Sequence, residues 1–220
     1  MKQLVAFSIW LSLAYPIIGQ EDLNKYFFSK GLVDVTGIDA SLKVELRYAG
    51  IDNFLGEAVY RQISGAWLHP EAAAKLVKAQ ALLKVRRPEY SLLIYDAARP
   101  MSVQRAMWNL ARKAGKAKYV SNPANGGGLH NYGMAVDLTI VDASGRPLDM
   151  GSRFDHFGSE SHINDEENLL RSRKISSEAY ANRRLLRTIM RQAGFRTILY
   201  EWWHFNACSR EEAKARLPLL

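Results

Sequence analysis

The segment Met134–Val141, M-A-V-D-L-T-I-V, reads as an apolar strand. Seven uncharged residues of high strand propensity surround one carboxylate, Asp137. Alternation places Ala135, Asp137 and Thr139 on one face and Met134, Val136 and Leu138 on the other. An unpaired carboxylate buried there is costly, so the fold must bring to Asp137 a metal, another cation or a set of backbone amides.

The rest of the chain supplies the layers around that strand. Ser41–Tyr48, S-L-K-V-E-L-R-Y, alternates at period two and predicts a half-buried strand. Asn53–Tyr60, with aromatics close to glycine, reads as a loop. Pro70 opens E-A-A-A-K-L-V-K-A-Q-A-L-L-K-V, a strong helix former that Arg86–Pro88 ends. Ser91–Tyr95 predicts a short buried strand, and Ser102 a cap for the helix V-Q-R-A-M-W-N-L-A-R-K-A. Residues 119–129 and 149–168 read as loops, the second long enough to be a functional candidate. Ser176 caps a third helix that runs to about Ala193, where Gly194 stops it, and Phe195–Trp202 predicts the last strand. Helices fall irregularly between strands, which predicts an α+β domain with helices packed on one small antiparallel sheet.

Residues 1–19 differ from everything after them. A single positive charge at Lys2, an apolar run from Leu4 to Ile18 and a small residue, Gly19, have the pattern of a secretory signal peptide. The expectation is therefore a leader at residues 1–19 and a single domain at residues 20–220, exported from the cytoplasm and periplasmic where a periplasm exists. No cysteine follows the apolar run, which speaks against a lipoprotein anchor, and no later segment is apolar enough to span a bilayer. Cys208 is the one cysteine, so an internal disulfide is excluded and stability must come from the core or a metal. The net charge of +8 comes with no nucleic-acid motif and reads as a solvated basic face.

Chemistry concentrates in the second half. G-G-G-L-H-N-Y-G-M-A-V-D carries His130 and Asp137, and E-W-W-H carries Glu201 and His204. Two imidazoles and one carboxylate make a three-ligand set for Zn²⁺, with a fourth position open to water. Glu201 is then left over beside Trp202 and Trp203, where a general base for that water would stand. Residues three apart on a regular strand face opposite ways, so the backbone must bulge or turn between Glu201 and His204. His69, before Pro70, reads as a cap or surface residue. Cys208, four residues after His204, would close the site as a thiolate; a buried free thiol is the expectation.

Y-D-A-A-R-P, L-H-N-Y-G-M-A-V-D-L-T, D-M-G-S-R-F-D, S-H and E-W-W-H-F, in this order, resemble the VanX-type D-alanyl-D-alanine dipeptidases. These belong to a group of zinc peptidases that includes D,D-carboxypeptidases and is similar in fold to the Hedgehog signalling domain. The resemblance runs from about Val44 to Asn206. It implies one Zn²⁺ per chain on His130, Asp137 and His204, with Glu201 as catalytic base. It further implies that Arg99 stabilises the oxyanion and that Asp155 binds the free ammonium of a dipeptide. For Arg99 the alternatives are a clamp on the substrate carboxylate or an ion pair with Asp96; for Asp155, ordering of its loop. Ser161 and His162 also recur in the family pattern and are expected to be structural. Gly128 is a departure, since the family often has a substrate-contacting Ser there. The implied activity is hydrolysis of D-alanyl-D-alanine in cell-wall dipeptide turnover, with a small peptidoglycan dipeptide as partner, no nucleic acid and no membrane anchor after cleavage. A D,D-carboxypeptidase, a dipeptidase of other stereospecificity and a non-catalytic zinc recognition domain are the alternatives.

Overall fold

A computed structural model describes residues 22–220; the expected leader at residues 1–19 lies outside the described residues. Helix α1 (Leu23–Ser29) starts at Asp22, whose carboxylate accepts from the amides of Asn24 and Lys25. Strand β1 (Val33–Asp34), the short helix α2 (Val35–Ile38), β2 (Lys43–Val44) and β3 (Trp67–Leu68) then lead into α3 (Pro70–Arg86). Next come β4 (Ser91–Asp96), α4 (Met101–Lys113) and β5 (Ala135–Val141), followed by α5 (Glu166–Arg171) and α6 (Ser177–Gln192). β6 (Arg196–Thr197), β7 (His204–Asn206) and α7 (Arg210–Arg216) complete the order.

Five strands form one sheet in the order β2-β4-β5-β7-β6, antiparallel at every pairing except β2 with β4. β1 and β3 make a separate antiparallel pair. The α+β arrangement expected from the sequence is the one observed. β5 has strands on both sides and every residue buried, as its composition required. The core joins Leu76 and Leu83 of α3 and Ile189 of α6 to Ile94, Leu138 and Phe205 of the sheet.

Three elements differ from expectation. The strand over Ser41–Tyr48 narrows to Lys43–Val44, because a 3-10 turn at Arg47–Ala49 lifts the chain off the sheet edge and buries the Tyr48 ring. Ser102 does not cap α4; the helix already starts at Met101, with Pro100 as its N-cap residue and no side-chain bond there. The strand over Phe195–Trp202 is shorter, Arg196–Thr197, and pairs with β7 as a hairpin whose connection exposes Leu199 and Tyr200. By contrast Ser176 caps α6 through the amide of Ala179, and Gly194, at φ +100°, ends it.

One irregularity sets up the site. The register of β4 against β5 shifts between Ile94 and Asp96, inserting Tyr95 as an extra residue. Asp96 thereby stands opposite Asp137, and Asp137 opposite His204, so three polar residues line up across three adjacent strands.

Candidate active site

Asp137 meets its partner across the sheet: Nδ1 of His204 lies 2.9 Å from Asp137 Oδ1. His130 arrives from a different kind of element, the single 3-10 turn Leu129–Tyr132. Gly133 ends that turn at φ +67°, and a Cβ there would come within 3.0 Å of the backbone nitrogen of His69. Asn131 ties the turn down, accepting from Gly128 N at 2.8 Å and donating to the Arg99 carbonyl at 2.8 Å.

Outer hydrogen bonds aim both rings inward. His130 Nδ1 donates to the Ala97 carbonyl at 2.7 Å, leaving Nε2 free to face the site. His204 Nε2 faces Asn206 Oδ1 at 2.7 Å, leaving Nδ1 inward. His130 Nε2 lies 3.3 Å from His204 Nδ1 and 3.4 Å from Asp137 Oδ1. A tetrahedral ion with bonds of about 2.0–2.1 Å would separate its donor atoms by about 3.3 Å. The three inward atoms are therefore already spaced as one face of such a tetrahedron, and their chemistry, two imidazoles and a carboxylate, fits zinc. Cys208 is buried as a free thiol and stands outside this cluster.

Glu201 precedes a turn at Trp202 and Trp203, and β7 begins at His204. That turn is the bend the spacing demanded. It brings Glu201 Oε2 within 4.0 Å of His204 Nδ1. Trp203 is 2% exposed and packs its ring edge-on against Phe154, while Trp202 Nε1 donates to Ser152 Oγ at 3.0 Å. Ser161 is buried, and its carbonyl accepts from Trp202 N at 3.1 Å, which fastens the 149–162 loop to the turn. His162 packs edge-on against Tyr200, His156 pairs with Glu160 at 3.2 Å, and His69 caps α3 through the amide of Glu71; all three lie outside the metal-ligand cluster.

Arg99 is buried, with Nη2 paired to Asp96 and Nη1 donating to Gln104 Oε1 at 3.0 Å. The ion pair with Asp96 is thus present, and Arg99 also lines the cavity beside His130, with its Nε unpartnered. Tyr60, from its hydroxyl at 2.6 Å, and Ala97 N, at 3.0 Å, also donate to Asp96. Asp155 holds a left-handed backbone at φ +60°, a costly conformation for a non-glycine residue that recurs at functional sites. Its carboxylate accepts from Tyr48 Oη at 3.0 Å and from Phe54 N at 3.3 Å.

These groups share one cavity of about 270 Å³, small beside ordinary ligand pockets. Three carboxylates, Asp137, Asp155 and Glu201, line it and crowd one another electrically. Burial and then the charge of Asp137 push the Asp155 carboxyl from its usual 3.8 up to about 8. Burial also raises Glu201, against the pull of His204. Burial opposes charge on His204, but the bonded Asp137 outweighs it and lifts the imidazole to about 9. Asp137 itself is held low, because the two imidazoles overcome its burial. The pocket is built to receive positive charge.

Tyr48, Gln104, Ser121, Asn206 and Arg210 also belong to this wall, and sequence reasoning singled out none of them. Only Tyr48 carried a signal, as the end of the S-L-K-V-E-L-R-Y alternation.

Comparison with known proteins places this geometry. The family model described as D-ala-D-ala dipeptidase matches residues 28–216. A D-alanyl-D-alanine dipeptidase of Escherichia coli strain K12 is 36% identical over 175 residues, covering 80% of this chain and 83% of that protein. One from Enterococcus faecium is 31% identical over 184 residues, covering 73% of this chain and 83% of that protein. One from Synechocystis is 30% identical over 161 residues, covering 60% of this chain and 65% of that protein. A match over so much of the chain, on top of the site just described, establishes that the chain belongs to the D-ala-D-ala dipeptidase family of peptidases.

Proposed function

We propose that the chain is a zinc-dependent D,D-dipeptidase that hydrolyses D-alanyl-D-alanine, with His130, Asp137 and His204 as metal ligands. The observation that carries this is the triangle of inward donor atoms, 2.9, 3.3 and 3.4 Å apart, with Glu201 beside it. A zinc ion held there supplies a Lewis acid for the scissile carbonyl and makes water more acidic. Glu201, raised by burial, accepts a proton from the attacking water. As the C–N bond breaks, the same carboxyl returns a proton to the leaving amine. Arg99, fixed in the cavity wall by Asp96 and Gln104, stabilises the carbonyl oxygen as charge builds there. Asp155 holds the free ammonium, a cation that relieves the crowding of carboxylates around it. Trp202 and Trp203, both buried, limit water behind the base.

A panel of D,D-, L,D- and L,L-dipeptides, assayed with and without chelator, tests the reading. Chelator-sensitive turnover of the D,D-dipeptide is expected, and its loss on N-acetylation of the substrate follows from the role of Asp155. Turnover that survives complete zinc removal, or equal activity on the acetylated dipeptide, contradicts it.

Export completes the proposal: residues 1–19 act as a cleaved leader, and the domain from residue 20 onward recycles dipeptide released from the cell wall. The charged start, apolar run and small residue support this. Fractionation of the mature protein with the cytoplasm would refute it.

A further inference from the structure

Two guanidinium groups stand in the wall of the catalytic cavity, Arg99 and Arg210, and they differ in what neutralises them. Arg99 is paired with the buried carboxylate of Asp96. Arg210 has no acidic side chain within ion-pair distance among the described residues. Its Nη2 donates to the carbonyls of Asn125, at 2.8 Å, and Gly127, at 2.7 Å, and its Nε is buried without a partner. Neutral carbonyls fix the fork in place and leave its charge uncompensated.

The wall next to it explains the missing family serine. Gly128 cannot offer its amide, which already donates to Asn131 Oδ1 at 2.8 Å. A Cβ at Gly128 would instead lie 2.8 Å from Ser121 Oγ, so a hydroxyl from earlier in the same loop already fills that space. Ser121 is held there by Gln104, whose Nε2 donates to its carbonyl at 2.7 Å. Gln104 is the same residue that steadies Arg99.

We infer that Arg210, assisted by the Ser121 hydroxyl, binds the terminal carboxylate of the dipeptide and confines cleavage to substrates with one residue beyond the scissile bond. The inference rests on the D,D-dipeptidase reading above. A permanent carboxylate gains most from a cation with no other partner, whereas Arg99, already neutralised by Asp96, suits an oxyanion that forms only in passing. The cavity is then bipolar, with Asp155 for the ammonium end and Arg210 for the carboxylate end.

The test compares D-alanyl-D-alanine with its C-terminal amide as substrates of the zinc-loaded protein. The wild type is expected to favour the free acid by about 10- to 100-fold in kcat/KM, as one charge-assisted contact implies. Arg210→Met should erase that preference through a raised KM for the acid, with kcat/KM for the amide unchanged. Arg210→Lys, which keeps the charge, should restore part of the preference, and Ser121→Ala should reduce it. Equal losses on acid and amide in Arg210→Met would mark a merely structural role and overturn the inference, as would an undiminished preference. Failure of the wild type to cleave any D,D-dipeptide would count against the activity, not against Arg210. In that event calorimetric titration of zinc-loaded Glu201→Ala decides: adding Arg210→Met must weaken binding of the acid alone, and absent or unchanged binding of the acid overturns the inference.

Discussion

Glu201 and Asp155 are carboxylates whose burial favours the neutral acid, and the two are useful for opposite reasons. As the proposed base Glu201 has to exchange a proton, so Glu201→Ala should lower kcat by about 10²–10⁴ while the protein still binds one zinc, read by metal analysis after dialysis. In the proposed mechanism Asp155 has to be charged when substrate arrives. Its raised pKa means that the folded, metal-free protein keeps a proton over the interval from 3.8 to about 8 that the unfolded chain has released. Folding stability from this group is therefore present at low pH and declines as pH rises through that interval. Denaturant midpoints of the metal-free protein at about pH 5 and about pH 8 should differ in that sense, and Asp155→Asn should flatten the difference. An identical slope in the mutant would show that other groups are responsible. Asn206, which orients His204 from behind, belongs to the same scale. Asn206→Ala should weaken zinc binding by about 10- to 100-fold in a competition titration with a chelator. The clustering of Asp137 and His204 was legible because each is a polar residue in an apolar run, while His130 was marked by its glycine-rich loop. Asn206 was not, since an exposed-looking amide two residues from a histidine carries no such mark.

Among the elements, the 3-10 turn at Leu129–Tyr132 and the bulge at Tyr95 matter most, because each re-aims a polar side chain. Gly133 closes the turn in the left-handed region with a backbone nitrogen close by. Gly133→Ala should therefore destabilise the fold by about 1–2 kcal/mol, seen in denaturant unfolding, and should also reduce zinc affinity by displacing His130. A stable mutant with normal zinc binding would show that the turn tolerates the strain. The long helices α3 and α6 were the easiest elements to foresee, since Pro70, Ser176 and Gly194 are local signals that act within one turn of backbone, whereas the short α1, α2, α5 and α7 carried no signal that was read. The hairpin β6–β7 was harder. Phe195–Trp202, F-R-T-I-L-Y-E-W, reads as one strand, yet Leu199 and Tyr200 are exposed at the connection, and only pairing with β5 decides where the strand resumes. The bulge was invisible for a similar reason, since register is a property of two strands together.

For the molecule as a whole, the central strand, the last hairpin and a separate loop converge on one cluster of donor atoms, the proposed zinc site. Metal binding is therefore linked to global stability. Free zinc at a hundred times its Kd should add about 2.7 kcal/mol, so scanning calorimetry should show a clear fall in Tm on chelation. An unchanged Tm would exclude a resident metal at this triangle. The cavity wall was the least legible part of the protein. Tyr48 and Asp155 lie 107 residues apart, and Arg210 reaches the Asn125 carbonyl across 85 residues, distances over which a single sequence gives no pairing signal.

The order of these parts along the chain has a consequence for when the protein can work. His130 and Asp137 are in place once β5 is made, but His204 belongs to the last strand of the sheet. The turn that carries His130 is tied further still, because the Asn131 carbonyl accepts from the amide of Leu220, whose own carbonyl accepts from Met101 N. A ribosome delivers the N-terminal part first, so a growing chain holds two donors and no third, and lacks the strap across its turn. On the proposed ligand set, hydrolytic competence cannot precede the emergence of the segment that carries His204 and Leu220. A chain translated only as far as β5 is then harmless to any dipeptide pool around it.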